Sequence, residues 1–305
     1  MTRAFRLSDS SLTQLHTCER MYQLDRLLAA TKEKQDFPDT IFGKAWGAAV
    51  ASYLVKQDAQ EAAYTLWTNY FPNLENKRKT QSICFNLLQA GIPVLDNLLQ
   101  EWEILVFNNE PAVELGFRLN IDQQYYFVGY MDAAMRNRSS GRCAVFDAKT
   151  TGLNLFDLSP LYQNNPQLVG YSIVLDQIVG EELAEYDVGY LVGQLGAGNG
   201  FQPNVKLLTF AKTLQDRLHW FISLGLDVEH LKNMATYNIY PQRGHNCLQY
   251  MKPCRHFGTC QLFSFDRPAE DEEGTAIQDQ EEAPVYQFTF ELDAVIDDHL
   301  RRIQA

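Results

Sequence analysis

The chain has 305 residues, 46% hydrophobic and 21% charged, which suits a globular protein of one large domain or two small ones. No run of about eighteen apolar residues stands out, so no membrane span is expected. Residues 1–9 lack the apolar core of a signal peptide, which leaves the cytoplasm as the default compartment. A formal net charge of −12 argues against coating nucleic acid through the whole surface, but not against gripping a short stretch in a cleft.

The N-terminal third reads as helical. Ser8 to Ser11 offer N-caps for a first helix with apolar residues at Leu12, Leu15, Tyr22, Leu24, Leu27 and Leu28, and Cys18 falls inside it. A second helix is expected from Lys44 to Phe71. A third runs from Lys77 to Glu103, where Gly91 and Pro93 would bend or split it. The pattern changes near Leu105. Residues 112–119, 125–132 and 143–149 then alternate as three strands with short connections, an antiparallel meander. Asn165 as N-cap and Pro166 at the first position open a helix to Ile178, which Gly180 stops. Strands follow at 187–194 and 205–210, then a helix from Thr213 to Ala235.

A cysteine segment occupies 245–260, an acidic solvated linker 266–284, and a final strand and helix 285–305. This order predicts a mixed α/β (α+β) fold, with a central mixed sheet flanked by helices. One domain would span 1–265, with a helical insertion over 44–104.

Asp147 and Lys149 are two apart on a strand and so share a face. If Met135 pairs with Arg142, Asp132 falls opposite Val145 and joins that face, while a one-residue slip would remove it. Glu114 interrupts the apolar pair Val113 and Leu115. Glu114, Asp132, Asp147 and the Ala148 carbonyl are hard oxygen donors suited to Mg²⁺ or Mn²⁺, and Lys149 suits a water or a developing charge. Alone, Asp-x-Lys reads as a solvated strand end, with Asp147 closing the strand and Lys149 an edge residue. Gln167 and Tyr171, at i and i+4, share one helix face.

Of six cysteines, Cys247, Cys254 and Cys260 crowd together near the C-terminal end. Such clustering points to metal rather than to disulfides. Cys18, polar-flanked by Thr17 and Glu19, is the best fourth thiol for an iron–sulfur cluster. Zn²⁺ completed by His245 or His256 fits the spacing equally well. Cys84 and Cys143 read as core residues.

The ordered set Glu114, Gly129–Asp132, Asp147-Ala148-Lys149 and Gln167-x-x-x-Tyr171 resembles the PD-(D/E)XK nuclease superfamily, and within it the RecB-type exonuclease branch. Residues 10–22 look like that branch's opening helix. The resemblance implies a restriction-endonuclease-like fold, with Glu114, Asp132 and Asp147 as metal ligands and Lys149 as the catalytic lysine. Gln167 and Tyr171 would position DNA. Where many RecB-type members carry a histidine, Gly47 stands, which implies a missing ligand. One cysteine in the first helix and three after the core resemble AddB-type and CRISPR-adaptation nucleases. That implies a [4Fe–4S] cluster on Cys18, Cys247, Cys254 and Cys260, fastening distant segments together.

Candidate phosphate contacts are Lys77, Arg78, Lys79, Arg136, Arg138 and Arg142. Trp46, Trp67, Trp102 and Trp220 are candidates for base stacking, though they read more simply as core. No Gly-x-x-x-x-Gly-Lys-Ser/Thr loop occurs, so no nucleotide motor is expected. DNA is the expected partner, with a recombination or repair protein as a further one.

Overall fold

A computed structural model describes residues 5–28, 38–70, 79–153, 159–195, 203–249, 252–258, 260 and 286–304. The expected acidic linker, 266–284, and the basic residues Lys77 and Arg78 lie outside them.

Strand β1 (Phe5–Leu7) leads into α1 (Asp9–Thr17), whose start is fixed by Ser11 Oγ accepting the Ser8 N–H at 2.8 Å. The single first helix expected from sequence is interrupted. Cys18 is extended (φ −167°, ψ 116°), and α2 (Glu19–Tyr22) and a π-helical turn over Gln23–Leu27 follow. Arg20 gives its N–H to the Pro241 carbonyl at 3.1 Å, so the ladder cannot run through Cys18.

The expected second helix is also two, α3 (Pro38–Lys56) and α4 (Ala59–Asn69). Gln57 turns into the left-handed region (φ 51°), and Asp58 caps α4 by accepting the N–H groups of Gln60 and Glu61. Helix α5 (Gln81–Glu101), capped by Thr80, runs unbroken past Gly91 and Pro93. Gly91 serves packing rather than bending, since a Cβ there would lie 2.9 Å from the Trp46 ring. Contrary to the sequence reading, α5 is long and apolar enough to cross a membrane by length and composition. Its Cys84, Leu87, Leu88, Leu95 and Leu98 are buried in a core shared with Phe42 and Trp46, which accounts for that apolarity.

The strands are β2 (Trp102–Ile104), a short β3 (Val106–Phe107) and β4 (Glu110–Pro111) ladder, β5 (Val113–Asn120), β6 (Tyr125–Asn137) and β7 (Cys143–Thr151). Then come α6 (Ser159–Gln163), α7 (Pro166–Tyr171), α8 (Val174–Val179), β8 (Glu185–Gln194), β9 (Asn204–Thr213) and α9 (Leu214–Tyr237). A 3₁₀ turn over Gly244–Asn246, the antiparallel pair β10 (Leu248–Gln249) and β11 (Lys252–Pro253), then β12 (Phe288–Glu291) and α10 (Leu292–Gln304), complete the described elements.

The chain folds as two compact units, one of residues 1–34, 118–129 and 221–296, the other of 35–117, 130–220 and 297–305. In the first, β1 pairs parallel with the start of β6 and β12 lies beside β5. In the second, the sheet runs β5-β6-β7-β8-β9, with β6–β7 and β8–β9 antiparallel and β7–β8 parallel, a mixed sheet as expected. Ala144 and Phe146 of β7 face the core made with α3 and α5. Strand alternation turns Val145, Asp147 and Lys149 to the opposite face.

The expected helix from Pro166 is broken into α7 and α8. The buried Arg217 binds the Ser172 carbonyl at 3.1 Å and the Ser172 hydroxyl at 3.0 Å, diverting that carbonyl from an i→i+4 ladder. Asn165 caps α7 by accepting the Gln167 N–H, and Gly180 (φ 77°) ends α8, both as the sequence predicts.

Candidate active site

The β6–β7 register sets the site. Ala133 pairs with Phe146 and Met135 with Ala144, two residues away from the register assumed above. A shift of two preserves the face, so Asp132 still falls on the side of Asp147. The ladder stops there, and Asp132 Oδ2 accepts the Ala148 N–H at 2.6 Å. Asp147 is 5% exposed and pairs with Lys149 Nζ at 2.7 Å.

Glu114 enters by a distorted backbone. Its φ of 54° is left-handed, a conformation that a non-glycine residue inside a strand adopts only under constraint from its surroundings. Although its tip is exposed, partial desolvation and then the Asp147 charge raise its carboxyl pKa. Burial first, then Asp147 and Glu114, raise Asp132 well above the usual carboxylate range, against the Ala148 N–H and Lys149. Burial also raises Asp147, with Lys149 opposing. The three carboxyls thus lie in one another's field, and a divalent cation relieves that repulsion. Hard oxygens of this kind fit Mg²⁺ or Mn²⁺ chemically. As placed, no three His, Cys, Asp or Glu among the described residues converge closely enough to ligate one ion.

Gln167 Nε2 lies 3.4 Å from the Tyr171 hydroxyl, and Tyr171 packs edge-on against Phe117, so α7 presents the pair as one unit. Gly170 lets α7 approach Trp220, because a Cβ there would sit 2.3 Å from the indole. Sequence reasoning missed Tyr162. It packs on Tyr190, the β8 neighbour of Asp147, and burial followed by the Asp147 charge raises its phenol pKa. No motif spacing signalled it, because the contact comes from strand pairing.

Two of the basic candidates are engaged in ion pairs. Arg142 pairs with Asp187 at 2.9 Å and with Glu185, and Arg138 pairs with Glu103 at 3.1 Å. Trp46, Trp102 and Trp220 are core, while Trp67 is 58% exposed.

In the other unit, Cys18, Cys247, Cys254 and Cys260 line one cavity of about 90 Å³. Cys18 stands at the helix break rather than inside a helix. After Cys247, Leu248 pairs with Pro253 and Gln249 with Lys252, and Cys254 donates its N–H to the Cys247 carbonyl at 2.8 Å. Desolvation, then the charges of Cys254, Cys18 and Cys260, raise the Cys247 thiol, although as placed no three thiols among the described residues converge closely enough to ligate one ion. Cys84 and Cys143 are buried apart from them, and burial pushes Cys84 to about 12. Of the two histidines weighed for zinc, only His256 lines the cavity, with Nε2 2.8 Å from Asp25. Glu19 with Arg243, and Asp25 with Arg255, tie the first helices to the cysteine segment.

A family model of the PD-(D/E)XK nuclease superfamily matches residues 6–261. The chain belongs to the PD-(D/E)XK nuclease superfamily. It is accordingly a hydrolase of nucleic acid on a restriction-endonuclease-like fold, in a superfamily that typically uses Mg²⁺ or Mn²⁺. Among solved structures, a "Putative exonuclease" from Eubacterium rectale is similar at 11% identity and a TM-score of 0.49, over 86% of this chain and 89% of that one. A protein named SSO0001 is similar at 13% identity and a TM-score of 0.28, over 72% and 84%. No curated protein matches.

Proposed function

We propose that this PD-(D/E)XK member is a Mg²⁺- or Mn²⁺-dependent deoxyribonuclease of the RecB-type branch. It acts as an exonuclease on DNA ends in recombination, repair or phage DNA metabolism. The observation that carries this is the Asp132–Ala148 hydrogen bond, which brings Asp132 beside the Asp147–Lys149 pair. Glu114, Asp132, Asp147 and the Ala148 carbonyl would hold the cation, which when bound activates water and stabilises phosphate charge. Lys149 orients the attacking water and offsets negative charge on the scissile phosphate. Gln167 and Tyr171 hold the strand in place, and burial around Asp147 limits competing solvent.

Cleavage of end-labelled DNA in Mn²⁺ tests this reading. Asp147→Ala and Lys149→Ala are each expected to lose activity by roughly a hundredfold or more, the scale of removing one transition-state stabiliser. Equal cleavage by all three proteins removes the assignment. No cleavage even by the parent favours a DNA- or protein-binding module without catalysis, a reading that Gly47 supports.

The four-thiol cavity supports a [4Fe–4S] cluster as the fastening of this unit. His256 at the same cavity favours structural zinc as the second reading. Iron with sulfide in anaerobically purified protein selects the first, and zinc alone selects the second.

A further inference from the structure

The unit that carries the cysteines holds a second cavity, of about 460 Å³, with Phe5, Tyr22, Gln124, Tyr125, Lys232 and Tyr240 among its walls. Its size falls in the range of small-ligand sites, roughly 300–1,000 Å³. Phe5 and Tyr125 stack with ring centroids 5.4 Å apart and planes at 25°, yet Phe5 leaves 39% of its surface exposed. Tyr22, Tyr125 and Tyr240 all line it, so three phenol side chains share this one cavity.

The rim is pre-organised. Asp122 Oδ1 accepts the N–H groups of Gln124 and Tyr125, both at 2.7 Å, and Oδ2 binds Lys232 Nζ at 2.8 Å. Lys232 also pairs with Glu229, so its one positive charge faces two carboxylates. Such a rim does not attract a bare phosphate. Aromatic walls with hydroxyls between them instead suit a neutral planar heterocycle, stacked on its face and hydrogen-bonded at its edge.

We infer that this cavity takes one unstacked nucleobase of single-stranded DNA, with Phe5 and Tyr125 as the stacking platform and the phenol hydroxyls at the base edge. The inference rests on the nuclease reading for the source of the base, and it gives that enzyme a means of holding an unpaired end independent of phosphate charge.

Fluorescence anisotropy in EDTA, where cutting is off, tests it with two labelled probes. One is a single-stranded deoxyoligonucleotide and the other an abasic strand with the same number of phosphates. The wild type is expected to bind the base-bearing probe about tenfold tighter, the scale of one stacked base. Phe5→Ala and Tyr240→Ala should each remove most of that advantage and leave abasic binding unchanged. Phe5→Leu, which keeps apolar bulk without the ring, covers the case in which Phe5→Ala fails to fold. Equal affinity for the two probes overturns the inference, as do variants with wild-type melting temperatures and unchanged affinity. Base-dependent binding that requires Phe5, in a protein that cuts nothing in Mn²⁺, would sink the nuclease reading and leave this site standing.

Discussion

Asp132 accepts the backbone N–H of Ala148, the residue between Asp147 and Lys149, at 2.6 Å. One hydrogen bond therefore fixes an acid from β6 against the Asp147–Lys149 pair of β7. The same acid is ionised at a cost, because burial and then the Asp147 and Glu114 charges raise its pKa.

Asp132→Asn separates these effects. Asparagine can still accept the Ala148 N–H but carries no charge. Cleavage in Mn²⁺ should fall by about a hundredfold with the fold intact. In EDTA near neutral pH the variant should melt higher than wild type. A carboxyl whose folded pKa is raised weakens the fold as pH climbs from its unfolded to its folded value. Added Mn²⁺ should then stabilise the wild type more than the variant. Calorimetry with and without Mn²⁺ checks it, and an unchanged or lower melting temperature in EDTA contradicts it.

Gly170→Ala drives a methyl group into Trp220, at 2.3 Å in the unrelaxed structure. Overpacking of this kind costs about 1–3 kcal/mol, read by urea unfolding. The displaced α7 carries Gln167 and Tyr171 with it, so cleavage should drop as well. Trp220→Phe in the same chain should recover part of both losses, which an additive pair of substitutions would not do.

Glu19 supplies a pH signature. Burial pushes its carboxyl up, but Arg243, its own backbone N–H and His230 outweigh that and leave the pKa lowered. A depressed carboxylate stabilises the fold above its unfolded value and loses that contribution as pH falls through its folded value. Glu19→Gln should lower the denaturant midpoint at pH 7. Denaturant midpoints of the two proteins should draw together as pH falls below about 4. A deficit that persists unchanged into that acid range argues against the ion pair.

Replacing thiols one at a time sorts the six cysteines. Serine at Cys18, Cys247, Cys254 or Cys260 should each strip bound metal from the purified protein and lower its melting temperature. Alanine at Cys84 or Cys143 should leave metal content at the wild-type level, because these two are buried away from the four-thiol cavity. Metal analysis and the ultraviolet–visible spectrum give the readout, and metal loss on replacing Cys84 would break the assignment.

The residues show why some of this was legible from sequence and some was not. Asn165, Pro166 and Gly180 mark their helix ends through local chemistry, which a sequence displays directly. The shared face of Asp132 and Asp147 survived a wrong register because parity, not the individual pairing, decides it. The breaks at Cys18 and Ser172 were invisible because Pro241 and Arg217, distant in sequence, cause them. Tyr162 was invisible for the same reason, since it reaches Asp147 by way of Tyr190 on the neighbouring strand.

The left-handed backbone of Glu114 has a consequence of its own. Glycine would occupy that conformation without strain, and Glu114→Gly should gain about 1 kcal/mol of stability. It would also delete a carboxylate that raises Asp132 and that Asp147 itself raises. At this one position the sturdier chain and the chain with three acids in a shared field are different molecules, and this sequence keeps the third acid.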